Sequence, residues 1–394
     1  MLRKPLDGAR GGPAGQTMNE LPLMEPSAGH IVLFHPHVPA HASRNVEAVL
    51  RTRWIGQGPG VDEFEERFRS RFCGDRCAVA VGAGTDALHL AYLLASLEPG
   101  DEVITPIFTC TATTIPFLYT GARIVFADVQ RHTMNIDPMD VRRRITRKCR
   151  AIVCVHYAGL PCDMDELQEI ADEYGVKIIE DAAHALGAVY KGKTVGQISD
   201  FTAFSFQAIK HITTGDGGML VLKDSSLAEK ARRLRWFGID RKAKHEGTWE
   251  NDISEVGYKY QMTDIAASLG LAGLDEFDDV LTHRRALFSA YEKGLRNVAG
   301  ISLLGTGFED RTHAAWLCTV LAENREGLRA KLRENGIESA PVHYRNDNYT
   351  VFGGRQVGYD NMDAVEGKYL VLPLHTKVTM GDVDRICSVI RRGW

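Results

Sequence analysis

The chain has 394 residues, room for one large domain and a smaller one, because a single hydrophobic core stops growing at about 250 to 300 residues. An apolar fraction of 44%, a charged fraction of 25% and a formal charge of -4 describe an ordinary globular protein without a basic field, so no nucleic-acid partner is expected. The eight cysteines are scattered, with only Cys73 and Cys77 close together and no second pair at metal-site spacing, which predicts reduced thiols and a cytoplasmic protein.

Residues 1–30 are rich in Gly, Pro and polar groups and hold no apolar run long enough for a signal-peptide core or a membrane span. A loose tail is expected there, with Met18 as an alternative start. His35, His37 and His41 lie in a proline-bearing extended stretch with no carboxylate or cysteine close in sequence, so no metal is expected. Ser43 to Arg53 and Val61 to Phe72 read as amphipathic helices, the second with Phe64, Phe68 and Phe72 on one face. Between them Trp54 to Pro59 is a glycine-rich turn.

Cys77 to Val81 reads as a strand that leads into Gly82-Ala-Gly84-Thr85-Asp-Ala87, formally a G-x-G-x-x-A dinucleotide fingerprint. A nicotinamide site also needs an acid at the end of the next strand to hold the ribose. That strand, Glu102 to Thr105, ends instead in Thr105-Pro106-Ile107-Phe108. The amides of Gly84 and Thr85 at a helix start suit a phosphate, whichever cofactor bears it. Strands at Arg123 to Val129, Ala151 to Tyr157 and Val176 to Ile179 alternate with helices at Pro138 to Arg147 and Asp163 to Tyr174. This alternation predicts an α/β fold with right-handed crossovers and a mostly parallel sheet.

The strand Val176 to Ile179 ends in Glu180 and Asp181, followed by small residues that admit a flat ligand. A carboxylate under a pyridine ring keeps the ring nitrogen protonated and turns the ring into an electron sink, as in pyridoxal phosphate enzymes. The next strand ends at Asp200-Phe-Thr-Ala-Phe204 and delivers Ser205 and Lys210 to the sheet edge where α/β folds bind ligands. Ala208 and Ile209 before Lys210, and the turn Thr214-Gly-Asp-Gly-Gly218 after it, can hold its amine desolvated with a lowered pKa, as imine chemistry requires. Asp181 and Lys210 together favour pyridoxal phosphate over a nicotinamide, so the phosphate at Gly84 and Thr85 is expected to be that of pyridoxal.

Farther on, Gly218 to Leu222 is one more strand and Ser225 to Trp236 a helix. Gly238 to Ser254 reads as a mobile loop, and Thr263 to Leu295 as one or two long helices ending in a domain boundary. Strands at Ala314 to Leu321 and Ile337 to Val342, with helices at Arg325 to Asn335 and Met380 to Arg392, predict a small α+β domain. The expected division is therefore a tail over 1–30, a cofactor-binding domain over 31–280 and a small domain over 281–394.

These motifs resemble the sugar aminotransferases of the DegT/DnrJ/EryC1/StrS family, pyridoxal phosphate enzymes of the aspartate aminotransferase fold (fold type I). The likeness runs from about Pro36 to near the C-terminus. Trp54-Ile-Gly-Gln-Gly-Pro59, Gly84-Thr-Asp-Ala-Leu88, Asp101-Glu-Val-Ile-Thr-Pro106, Glu180-Asp-Ala-Ala-His184, Ser205-Phe-Gln-Ala-Ile-Lys210, Gly257-Tyr-Lys-Tyr-Gln-Met-Thr-Asp264 and Pro341-Val-His-Tyr344 carry it. The resemblance implies that Lys210 bonds the cofactor and shuttles a proton, that Asp181 sits beneath the ring, and that His184 faces the ring or its hydroxyl. Gly84, Thr85 and Ser205 would hold the phosphate. Lys259, where the family commonly has Asn, would cross to the phosphate of a neighbouring subunit, which implies a homodimer with shared active sites.

Trp54 would border the site, unless it is a core anchor, and His343-Tyr-Arg-Asn-Asp-Asn348 would form the substrate side. The family's ring-stacking aromatic is replaced by Cys110, leaving Phe108 or Cys110 as candidates. The implied substrates are an amino-acid donor, glutamate in the resembled family, and a nucleotide-linked keto-sugar. Ile212-Thr-Thr-Gly-Asp-Gly-Gly218 is closer to members that aminate C4 of a 4-keto-6-deoxy sugar than to those acting at C3. A 3-keto sugar, a non-nucleotide keto-sugar or a keto-cyclitol is the alternative, and a regulator that binds the cofactor without turnover is another class. Related sugar 3-dehydratases carry histidine where this chain has Lys210, so amino transfer is the expected chemistry.

Overall fold

The computed structural model describes residues 29–241, 243, 247–250 and 252–394. The expected tail, through residue 28, lies outside the described residues, as do positions 242, 244–246 and 251 of the expected mobile loop.

Strands β1 (Cys77–Val81), β2 (Glu102–Pro106), β3 (Arg123–Ala127), β4 (Cys149–Val155), β5 (Lys177–Asp181), β6 (Phe201–Ser205) and β7 (Gly218–Leu222) form one sheet in the order β1-β7-β6-β5-β4-β2-β3. From β6 across to β3 every pairing is parallel, while β7 is antiparallel to both its neighbours. Near-continuous apolar runs form these strands because the sheet is covered on both faces. In β1, Ala78 and Ala80 point into a cluster with Phe64, Phe68 and Phe204, while Val79 and Val81 point oppositely, into a cluster with Leu88 and Tyr92. The first is closed by the helix Pro59–Phe68, which carries the expected aromatic face, and the second by the helix Gly84–Leu94.

The dinucleotide reading fails on this topology. The strand leading to Gly82 and Gly84 is an edge strand whose only ladder is antiparallel, to β7. A Rossmann site needs that strand inside a parallel βαβ unit.

A second, antiparallel sheet joins Ile301–Leu303, Cys318–Ala322 and Tyr369–Leu372. The helices Phe277–Leu295, Arg325–Glu334 and Met380–Arg391 accompany it, the last opened by a capping box between Thr379 and Asp382. The expected strand at Ile337 to Val342 does not form. Pro341 has no N–H to give a ladder, and the segment makes only isolated bridges, Ile337 to Ile31 and Ala340 to Val371. The expected strand from Ala314 starts late, at Cys318, because the amides of Ala314, Trp316 and Leu317 bond instead to the carbonyls of Gly159 and Ala158.

Of the one or two long helices expected over Thr263 to Leu295 there are two, Asp264–Asp275 and Phe277–Leu295, separated at Glu276. The second runs straight through residues 280 and 281. A shared cluster of Leu33, Phe108 and Tyr157 with Trp316, Leu317 and Tyr369 joins the two sheets into one body around the cavity described next.

Candidate active site

The carboxyl ends of β5 and β6 open into a cavity of about 280 Å³ lined by Gly84, Thr85, Cys110, Asp181, His184, Ser205, Lys210, Trp316 and His343. The expected residues arrive at the strand-to-loop junctions after β1, β5 and β6. Asp181 is the last residue of β5 and Ser205 the last of β6. Lys210 follows in a loop closed by the bonds Phe206 N–H to Gly217 O (2.8 Å) and Thr214 N–H to Phe206 O (2.9 Å).

The end of the cavity at Gly84 and Ser205 is built by close approach. A Cβ on Gly84 would lie 2.8 Å from Ser205 Cβ, so only glycine leaves the helix start open beside Ser205. No side chain caps this helix at Ala83, and its first amides are left for a ligand.

Asp181 is buried, and both its oxygens are fixed: Thr113 Oγ1 donates at 2.7 Å and the amide of Ala183 at 3.1 Å. Burial raises its pKa, opposed by these two donors and by the Lys210 charge. A protonated ring nitrogen is the partner such a carboxylate lacks. Lys210 shows the mirror image: burial pulls its amine down to about 7, against the upward pull of Asp181 and Cys110. An amine near neutrality can act as nucleophile and as proton carrier.

His184 is stacked on Trp316 at 3.8 Å, with His343 parallel to it at 5.2 Å. Burial, and then the Lys210 charge, push both imidazoles toward neutrality, His343 to about 3. His184 Nδ1 is buried without a hydrogen-bond partner, an acceptor or donor held ready for a ligand. An acid beneath, an amine beside, an open helix start and an orphaned imidazole nitrogen fit pyridoxal phosphate.

Other expected residues are placed elsewhere. Phe108 does not reach the cavity; it packs edge-on against Tyr157 and Tyr369, and of the two stacking candidates Cys110 alone lines the site. In the expected substrate segment only His343 faces the cavity. Arg345, Asn346 and Asp347 are fully buried, Arg345 bonding Asp347 (Nε–Oδ1 2.6 Å) and Asn346 bonding Thr109 O (2.7 Å), so they brace the segment Phe108–Thr109.

Trp54 lines a separate, larger cavity of about 490 Å³ with Arg232, Arg235 and Arg241. Size does not decide between the two, because the larger one holds neither the lysine nor the acid. Lys259 does not line the cavity that holds Lys210 either; its amine lies 3.6 Å from the Trp236 ring.

Sequence reasoning missed Trp316, Thr113 and Phe34, whose places depend on long-range docking. It also missed two clusters. His37 and His41, expected to lack acids, meet Glu276 (2.8 Å) and Asp275 (3.3 Å) at the helix break. Cys154, His156 and Cys162 form a buried group of metal-like spacing. Both imidazole nitrogens of His156 are engaged, Nε2 with Glu180 (2.7 Å) and Nδ1 by the Cys162 amide (3.0 Å). Burial opposes ionisation of Glu180, but His156, Ser199 and Thr202 outweigh it and hold its pKa low.

The profile of the DegT/DnrJ/EryC1/StrS aminotransferase family matches residues 37–391. The GDP-perosamine synthase of Caulobacter vibrioides is 34% identical over 388 residues, covering 95% of this chain and 99% of that one. The sugar aminotransferase CalS13 of Micromonospora echinospora superposes with a TM-score of 0.87 at 31% identity, covering 92% of this chain and 99% of that one. Spr1654 of Streptococcus pneumoniae, solved in its PLP form, gives a TM-score of 0.86 at 30% identity over 92% and 98% of the two chains. With Lys210, Asp181 and the open helix start at Gly84 in one cavity, the chain belongs to the DegT/DnrJ/EryC1/StrS family and is a pyridoxal phosphate-dependent aminotransferase acting on sugars.

Proposed function

We propose that this enzyme moves an amino group from glutamate to C4 of a nucleotide-linked 4-keto-6-deoxy sugar. The observation that carries the chemistry is the joint placement of Lys210 and Asp181 on one cavity with the open helix start at Gly84. The choice of sugar is supported by the GDP-perosamine synthase relative and by the segment Ile212 to Gly218.

Pyridoxal phosphate bound here would supply the electron sink that transamination between an amino acid and a keto-sugar requires. Lys210 would hold it covalently and, when its amine is free, would carry the proton on Nζ as general base and acid. Asp181, held by Thr113 and Ala183, keeps the ring nitrogen protonated. Gly84, Thr85 and Ser205 hold the phosphate, and His184 uses its unpartnered Nδ1 toward the ring substituents. Substrate meets His343 on one side, and Trp54 and Lys259 serve the site of a partner subunit in a homodimer. Residues 31–280 form the cofactor domain and 281–394 a small domain, with Phe277–Leu295 as the joint. A cytoplasmic location fits the eight free thiols.

Borohydride should fix the cofactor's mass on the peptide bearing Lys210, and Lys210→Ala should lose both the label and turnover while staying folded. The acceptor is then read by offering uridine, thymidine and guanosine diphosphate 4-keto-6-deoxy sugars to the aminated enzyme and following loss of the pyridoxamine absorbance. A 3-keto sugar reacting while all 4-keto sugars stay inert would overturn the C4 assignment. A keto-cyclitol or a non-nucleotide keto-sugar as sole acceptor would overturn the nucleotide.

A further inference from the structure

Trp316 enters the active site from the C-terminal part of the chain, and its indole is fixed on every side. Nε1 donates to the carbonyl of Ile209 at 3.1 Å, one residue before Lys210. The ring stacks on His184 at 3.8 Å and 16°. Its amide bonds Ala158 O at 2.9 Å, and its carbonyl accepts from Arg284 Nη1 at 3.3 Å. Only 3% of the residue is exposed. The Nζ of Lys210 lies 3.6 Å from the centroid of this ring.

We infer that Trp316 is a positioning residue for Lys210: its indole face is where the ammonium rests whenever the amine is not covalently engaged, and it sets how readily Nζ holds a proton. The inference rests on the reading of Lys210 as the cofactor-bonding lysine. Lys210 is partly buried, and a partly desolvated cation above an indole face is stabilised by the ring quadrupole.

The other groups facing the amine pull in both directions. Asp181 from β5 and Cys110 from the start of the helix Thr111–Thr120 favour the charged form, and Arg284 from the helix Phe277–Leu295 disfavours it. Asp216 lines the same cavity, and His184 and His343 beside it are driven neutral. With the amine near neutrality, a modest stabilisation by the ring changes its protonated fraction substantially. An aromatic face serves a shuttling lysine better than a carboxylate at contact distance, because it favours the ammonium without locking it in a salt bridge.

The test is trace acetylation of Lys210 with acetic anhydride in the cofactor-free protein across pH, quantified by peptide mass spectrometry. The labelling midpoint reports the pKa of Nζ without any turnover. Trp316→Leu should move this midpoint down by about one pH unit, the size expected for a partly desolvated cation–π contact. Trp316→Phe keeps a ring face but loses the indole N–H, and should restore most of the shift. An unmoved midpoint in the Leu variant, or a Phe variant that behaves like Leu, would overturn the inference. Should the Leu variant fail to fold, replacing all five tryptophans by ring-fluorinated analogues weakens the quadrupole without changing shape. The midpoint must then fall with increasing fluorination, and a constant midpoint refutes the role. Borohydride fixation on Lys210 is a separate readout, so loss of the cofactor assignment would be told apart from loss of this one.

Discussion

Asp181 and Lys210 respond to desolvation in opposite directions. The carboxylate is raised and the amine lowered, so each sits closer to neutrality than in water. Asp181→Asn keeps the shape and removes the charge beneath the ring. Turnover should fall about 10²- to 10³-fold, the loss typical of one preorganised electrostatic contact, with the fold unchanged by circular dichroism. For Lys210 the folded pKa of about 7 lies below the ordinary 10.5. Between those values the unfolded chain binds a proton that the folded chain lacks, so stability rises with pH through this window and the penalty is complete below about pH 7. Lys210→Met removes the penalty. In urea titrations of the cofactor-free protein, the variant's stability gain should be largest at pH 6 and shrink toward pH 10; a gain that is the same at every pH would contradict the assignment.

Among elements, the helix Gly84–Leu94 and the helix Thr111–Thr120 do the positioning. The first presents uncapped amides beside Ser205, and the second, capped in extended geometry at Cys110, sets Thr113 one turn in, against Asp181. Thr113 is itself held by Thr109 (2.8 Å), and the segment Phe108–Thr109 pairs with Tyr344–Arg345, so the support of the acid runs into the substrate side. Gly84→Ala would place a methyl 2.8 Å from Ser205 Cβ in the phosphate cradle. Overpacking of about 1–3 kcal/mol at a binding surface corresponds to roughly a 5- to 150-fold weaker cofactor affinity. Absorbance titration of the cofactor-free variant measures this, and an unchanged affinity would mean that the phosphate lies elsewhere.

At the scale of the molecule, the proposed shared site accounts for where Lys259 and Trp54 lie. Neither borders the cavity of its own chain, and Lys259 is parked on Trp236 at 3.6 Å. Tyr119, Phe237, Ile253 and Val256 are exposed, apolar area that the proposed dimer contact would bury. Sedimentation should give twice the 43.6 kDa chain mass. Lys210→Ala and Lys259→Glu should each be inactive or strongly weakened alone. Mixed and refolded together, they should recover roughly a quarter of the wild-type sites, because one site of each heterodimer then carries both native lysines. No recovery on mixing would place Lys259 outside the partner's site.

The α/β class, and the meeting of Lys210, Asp181, Gly84 and Ser205 at one sheet edge, were legible in the sequence because these residues follow local units, an apolar strand and then a polar or glycine-bearing loop. Such units announce themselves through strand length and turn chemistry, and parallel crossovers bring their carboxyl ends to one edge. The helix at Phe64 and Phe68 was legible for the same reason, its periodicity being local. Trp316 was not. It sits in an apolar run that reads as strand, and its approach to Lys210 follows from the docking of Ala314–Leu317 onto the turn at Ala158, where the backbone adopts a positive φ of 58°. The burial of Arg345 to Asp347 and the meeting of His37 with Glu276 are of the same kind. Contacts between residues more than a hundred positions apart are decided by how the second sheet packs on the first, and no short stretch of sequence carries that information.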